Sequence, residues 1–179
     1  AVWRVSRRSE TSLSAHSTRV SPSCVVASIL SGDIPTGRLR LIKRARGYER
    51  DVQAGHSFFD VMAERYGLSL DVVGGALDLI PREGPVIFIA NHPYGILDGL
   101  MLGHMMSRTR GDFRIMAHSV FNRAPDLNRH LLPISFDADK TAMAMNLATR
   151  RQALEYLGKG GAVGVFPGGT VSTGAKPFS

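Results

Sequence analysis

An apolar run, Val86–Ala90, breaks off into Asn91-His92-Pro93-Tyr94-Gly95 and is followed at once by a helical pattern that opens with Ile96-Leu97-Asp98. No other segment limits the fold as tightly. A run this short, bounded by turn residues, reads as a buried strand rather than a helix. Pro93 and Gly95 then impose a sharp turn. Beyond it, Leu97, Leu100, Met101 and Met105 recur at helical spacing and would share one face of a helix over Ile96–Arg108. Strand, tight turn and helix in immediate succession is the unit from which α/β folds are built.

The same alternation runs through the rest of the chain. A helical period over His56–Tyr66 leads to a strand over Leu68–Val73, and Leu79–Pro85 forms the turn into Val86–Ala90. Phe113–Ala117 and Leu131–Phe136 read as strands. Thr141–Leu157 reads as a long helix with Met143, Leu147, Leu154 and Leu157 on its inner side, ending at Gly158, and Ala162–Phe166 as a strand running into Pro167-Gly168-Gly169. The expected class is α/β, with a mixed, largely parallel sheet flanked by helices and incomplete at its C-terminal end. Three regions are expected: a disordered or targeting-like tail over 1–36, a basic helical lead-in over 37–67, and the α/β domain over 68–179.

Charge separates the tail from the domain. Residues 1–50 hold 10 of the 22 Lys and Arg against 3 of the 15 Asp and Glu, so the whole excess of +7 lies there. The opening is Arg- and Ser-rich and acid-poor, which suits disorder and also an organellar transit sequence. Gly37–Arg50 interleaves Leu39, Leu41 and Ile42 with six basic residues. Such a stretch fits an anionic membrane surface or a solvated basic face. Nucleic acid is not expected as a partner, because the remainder is charge-balanced and its aromatics form no stacking platform. No apolar run approaches the roughly 20 residues that span a bilayer. Cys24, the single cysteine, excludes an internal disulfide.

The chemistry concentrates at the end of Val86–Ala90, since α/β folds place their sites beyond strand C-termini. Asp98 in the first helical turn can point back toward His92. A carboxylate that fixes the tautomer of a histidine makes it a general base. The plainer alternative has His92 capping the helix and Asp98 complementing its dipole. Gly158–Gly164 follows a helix and precedes a strand, the reverse of a phosphate-binding loop. His56, His118 and His130 lack metal-ligand spacing, and no metal is expected. His104, beside the apolar face of its helix, reads as a core or interface histidine.

Asn91-His92-Pro93-Tyr94-Gly95-Ile96-Leu97-Asp98-Gly99 resembles the signature of the glycerolipid and lysophospholipid acyltransferases of PlsC type, especially the branch written HPxGxxDG. Val165-Phe166-Pro167-Gly168-Gly169-Thr170-Val171-Ser172 is similar to that family's second hallmark, usually FPEGTRS. The two stand in the family's order, each after an expected strand.

The resemblance implies an O-acyltransferase in which His92 deprotonates a lysolipid hydroxyl, Asp98 orients His92, and the oxygen attacks an acyl thioester of CoA or acyl carrier protein directly. Gly168, Gly169 and Thr170 would offer backbone N–H groups to an oxyanion or a phosphate, unless the glycines only form a tight turn. Asn91 and Gly95 would shape the substrate side. No cofactor is implied, and the expected setting is peripheral to a membrane on its cytoplasmic face.

Two departures bear on the acceptor. Five residues instead of four separate His92 from Asp98, an excess that the Gly95 turn can absorb. Gly168 and Val171 replace the usual Glu and Arg, which weighs against a lysophosphatidic acid acceptor. Arg123 would restore the missing charge, or be a plain surface arginine. The rival reading is a catalytically silent lipid-binding or scaffold protein of the same fold.

Overall fold

The computed structural model describes residues 2–7, 43–92, 94–123 and 125–168, with side chains placed for all of these except 2–7 and 123. In chain order the elements are β1 (Val2–Arg7), α1 (Tyr48–Gln53), α2 (Phe58–Arg65), β2 (Leu68–Gly74) and β3 (Val86–Ile89). There follow α3 (Ile96–Thr109), β4 (Arg114–His118), α4 (Pro125–Asn128), β5 (Leu131–Ile134), α5 (Lys140–Gly158) and β6 (Ala162–Val165). Single 3-10 turns lie at Leu77–Leu79 and Ser119–Arg123.

Strands β3 to β6 form a parallel four-stranded sheet in the order β3-β6-β4-β5. The last strand therefore enters between the first two, and the register Ile87↔Val163, Ile89↔Val165 and Ile115↔Gly164 fixes its place. Alternation assigns the faces. A Cβ on Gly164 would come within 2.9 Å of Leu102 and 3.0 Å of the Met106 sulfur, so α3 covers that side at a distance only glycine permits. Val163 packs with Ala153, Tyr156 and Leu157 on the other side, beneath α5. Pro133 lies in β5, an edge strand of this sheet, where its missing N–H costs no ladder bond.

The main core lies between α1, α2, α3 and the sheet. An aromatic series crosses it: Tyr48 meets Phe58 edge-on at 5.3 Å, Phe58 meets Phe59 at 5.4 Å, Phe59 meets Phe113 at 5.4 Å, and Phe113 stacks on His130 at 4.3 Å. Gly103 leaves the room that the Phe59 ring occupies. Ala45, Tyr48 and the helix Phe58–Arg65 thus share one core with the sheet. Arg65 ties it together, pairing with Asp51 at 2.6 Å and donating to the carbonyls of Arg46 and Gly47. Arg44, in the basic stretch, donates to the Tyr66 carbonyl.

Two expectations are corrected. Val2–Arg7 is a strand, paired antiparallel with β2 through Trp3↔Val72, Val5↔Leu70 and Arg7↔Leu68. A composition averaged over the opening hid a short β-prone start that completes an otherwise open edge. The rest of the tail, Cys24, and Leu39, Leu41 and Ile42 lie outside the described residues. The inner face of α5 is also different: Ala142, Thr149 and Ala153 are buried, whereas Met143, Leu147 and Leu154 are exposed. Small side chains let the helix lie close on β5 and β6, and the Thr149 hydroxyl donates to the Pro133 carbonyl. Leu157 alone of the expected four packs inward.

At the N-terminal edge of the sheet, Arg110 donates to the carbonyls of Pro81, Gly84 and Gly160, stapling the turns that feed β3 and β6. The C-terminal edge holds the candidate site.

Candidate active site

Ala90 makes the last ladder bond of β3, its N–H donating to the Val165 carbonyl at 3.2 Å. The chain then turns. Asn91 is exposed, while His92 folds inward over Phe166, the residue just past β6, with ring centroids 4.3 Å apart and planes inclined by 30°. Gly95 takes φ 61° and ψ −122°, a conformation open to glycine and strained for any other residue. This turn directs the chain into α3. Its opening is closed by the Asp98 N–H donating to the Gly95 carbonyl at 3.1 Å.

Asp98 is buried, and its carboxylate points back across the turn. Oδ2 accepts the Tyr94 N–H at 2.7 Å and lies 3.4 Å from His92 Nδ1. The last distance is a close approach and not an aligned hydrogen bond, and among the described residues Nδ1 has no hydrogen-bond partner. The side chains are 19 % and 4 % exposed respectively, so the imidazole reaches solvent while the carboxylate does not.

Burial pushes His92 below its ordinary imidazole value, against the opposing charge of Asp98. Burial likewise raises Asp98, against the Tyr94 amide, the charge of His92 and the Gly95 amide. The amide bond to Oδ2 favours the ionised carboxylate. A neutral imidazole with Nδ1 turned to a buried carboxylate leaves Nε2 to accept a proton.

The other expected residues are distributed around this edge. Gly168 follows Phe166 in an exposed turn two residues further on; Gly169 and Thr170, like Pro93, lie outside the described residues. Arg123 ends the 3-10 turn that leaves β4 at the same edge, and its side chain is not described. Among the described residues no three His, Cys, Asp or Glu groups converge as a metal would require.

Two residues were missed. Phe166 is the surface against which His92 rests; the second motif contains it, but nothing in that resemblance gave it a role at the histidine. His118 ends β4, accepts the Val120 N–H on Nδ1 at 3.1 Å and faces Phe136 at 5.7 Å, so it too belongs to this edge. His104 and His130 stand away from it. His104 pairs with Asp60 across α2 and α3. His130 is buried, accepts from Arg129, and burial lowers its pKa.

A family model described as Acyltransferase matches residues 74–178, more than half of the chain. Among curated proteins and among solved structures, none matches the chain significantly.

Proposed function

The chain belongs to the acyltransferase family of PlsC type, and from that membership we propose that it moves a fatty acyl group from a thioester to the hydroxyl of a lysolipid. The observation that carries the reading is the buried Asp98 carboxylate 3.4 Å from Nδ1 of a half-buried His92 at the open edge of the sheet.

In this reading Nε2 of His92 takes the proton of the acceptor hydroxyl as its oxygen attacks the thioester carbonyl. Asp98 stabilises the imidazolium that results. The tetrahedral centre then collapses, the C–S bond breaks, and the thiolate takes the proton back from His92. Products are the ester and free CoA or acyl carrier protein thiol. Atoms and charge balance without a metal or a prosthetic group.

Backbone N–H groups at Gly168, Gly169 and Thr170 would meet the oxyanion, Asn91 and Gly95 would border the acceptor, and Arg123 would supply charge for a headgroup. Replacement of the usual Glu and Arg by Gly168 and Val171 favours a lysolipid other than lysophosphatidic acid. The same replacement favours a second reading, a silent lipid-binding protein. Membrane contact is peripheral in this proposal, at the cytoplasmic face; no helix among the described residues is long and apolar enough to cross a bilayer.

The test is release of free CoA from acyl-CoA with a panel of lysolipids, run beside the His92→Ala variant. Acceptor-dependent release that disappears in the variant supports the transferase and names its acceptor class. A folded protein that releases nothing, from acyl-CoA or from acyl carrier protein, supports the silent reading instead.

A further inference from the structure

Helix α5 carries a second apolar stripe that no other described element covers. Met143, Leu147 and Leu154 are 73 %, 51 % and 59 % exposed, on a flank roughly 120° around the helix from the buried Ala142, Thr149 and Ala153. Spacings of four and seven residues put the three on one line along about 17 Å of helix.

The charges on this face are nearly all of one sign. Lys140 stands three residues before Met143, Arg150 three after Leu147 and four before Leu154, and Arg151 four after Leu147 and three before Leu154. Each cation is thus a surface neighbour of an exposed apolar side chain. All three are exposed, and none has an ion pair or hydrogen bond to another described residue. The helix has one acid, Glu155.

We propose that this outward face of α5 is an interfacial surface that docks on an anionic lipid bilayer. A convex face of flexible Leu and Met side chains suits the headgroup boundary, where apolar groups sink and long cations reach up to phosphate. Its position fits the same occupant. The first turn of α5 begins at the catalytic edge, just past β5, where Phe136 and, beyond β3, Tyr94 are also exposed. Docking through α5 would hold the open side of His92 beside the lipid. The choice of lipid over an acidic protein rests on the acyl-transfer reading. In sequence the surface is separate from the basic stretch 37–50.

The experiment is sedimentation of the whole chain with phosphatidylcholine vesicles, with and without one third phosphatidylglycerol. CoA release toward a short-chain lysolipid below its micellar concentration is measured in parallel. The parent should sediment with anionic vesicles and much less with neutral ones. Arg150→Glu with Arg151→Glu should lower the partition coefficient on the order of 100-fold. Leu147→Gln with Leu154→Gln, which keep helix propensity and a solvated face, should lower it about tenfold.

His92→Ala should bind as the parent does, and both α5 variants should turn over the monomeric acceptor at the parent rate. A parent indifferent to anionic vesicles, or folded variants that bind as it does, would overturn the proposal. So would self-association of the parent that the same variants abolish, since the face would then join two copies of the chain. Vesicle binding lost in the α5 variants while no protein releases CoA would leave the docking surface standing and sink the acyl-transfer reading alone.

Discussion

Among the described residues two His–Asp pairs are built on the same helix, and the one with better geometry is not the one at the candidate site. His104 Nδ1 lies 2.6 Å from Asp60 Oδ1, an aligned contact between α3 and α2. His92 Nδ1 lies 3.4 Å from Asp98 Oδ2 and is not aligned. What separates them is position and burial. Asp60 is 42 % exposed, so water shares its charge, while Asp98 is 4 % exposed and its nearest partners are the Tyr94 amide and His92. His92 stands where a parallel strand ends and the sheet is open; His104 stands mid-helix against another helix. If His92 and Asp98 act as proposed, contact distance in the free protein is a poor guide to the working pair, because such bonds often tighten only around substrate.

The largest effect expected from this contrast is on turnover. His92→Ala should lower kcat about 10³-fold, the range in which general-base catalysis works. Thermal unfolding should move little, because the ring rests on Phe166 at the open edge of the sheet and does not join two helices as His104 does. Equal loss in His92→Ala and His104→Ala would erase the distinction between the pairs.

Asp98→Asn sharpens it. The amide keeps the shape but loses the charge, and kcat should fall on the order of 10²-fold as His92 loses its orienting partner. The pH profile carries the more specific signal. Burial already holds His92 below its ordinary value near 6.5, and the charge of Asp98 opposes that shift. The acid limb of kcat/KM in the parent should fall below that value, activity being present above it and lost as His92 takes a proton. Removing the Asp98 charge removes the upward contribution, so the limb should move to still lower pH. A limb that moves upward would mean that the titrating group is not His92.

Gly95→Ala tests the turn that joins the two residues of the site. At φ 61° and ψ −122° a side chain costs about 1–3 kcal/mol. Relief of that strain would draw the Tyr94 amide away from Asp98, with about a tenfold loss in kcat and a lower midpoint in urea. A stability loss without a rate loss would detach the turn from the chemistry.

Much of this was legible in the sequence, and the reason differs from residue to residue. His92 and Asp98 lie close in the chain, and the turn between them is spelled out by Pro93 and Gly95, so local chemistry brings them together. The strand at Val86 and the helix at Ile96 follow from period alone. The inward face of α5 did not, because the helix has two stripes, and only the narrow gap above β5 and β6 selects Ala142, Thr149 and Ala153 over the larger Met143, Leu147 and Leu154. His118 reaches the site edge, and Phe166 the face of His92, through strand register, with β6 entering between β3 and β4; the second motif marks Phe166 locally but not the ring it meets. Asp60 and His104 are 44 residues apart and meet only because α2 packs on α3.

The smallest effect completes the comparison. His104→Ala and Asp60→Asn each break the shorter of the two contacts. The carboxylate is 42 % exposed and keeps water when its partner leaves, so solvent screening limits the cost to about 0.5–1 kcal/mol of stability. His104 is mostly buried, and its removal also trims packing between α2 and α3, which places His104→Ala at the upper end of that range. Urea unfolding measures both losses, and CoA release should stay within about twofold of the parent, with an unmoved acid limb. A pair that is closer, better aligned and yet silent in turnover would show that this fold spends its best His–Asp geometry on joining helices. A tenfold loss of turnover in Asp60→Asn, with stability intact, would instead make α2 and α3 part of the catalytic machinery and overturn the division between the two pairs.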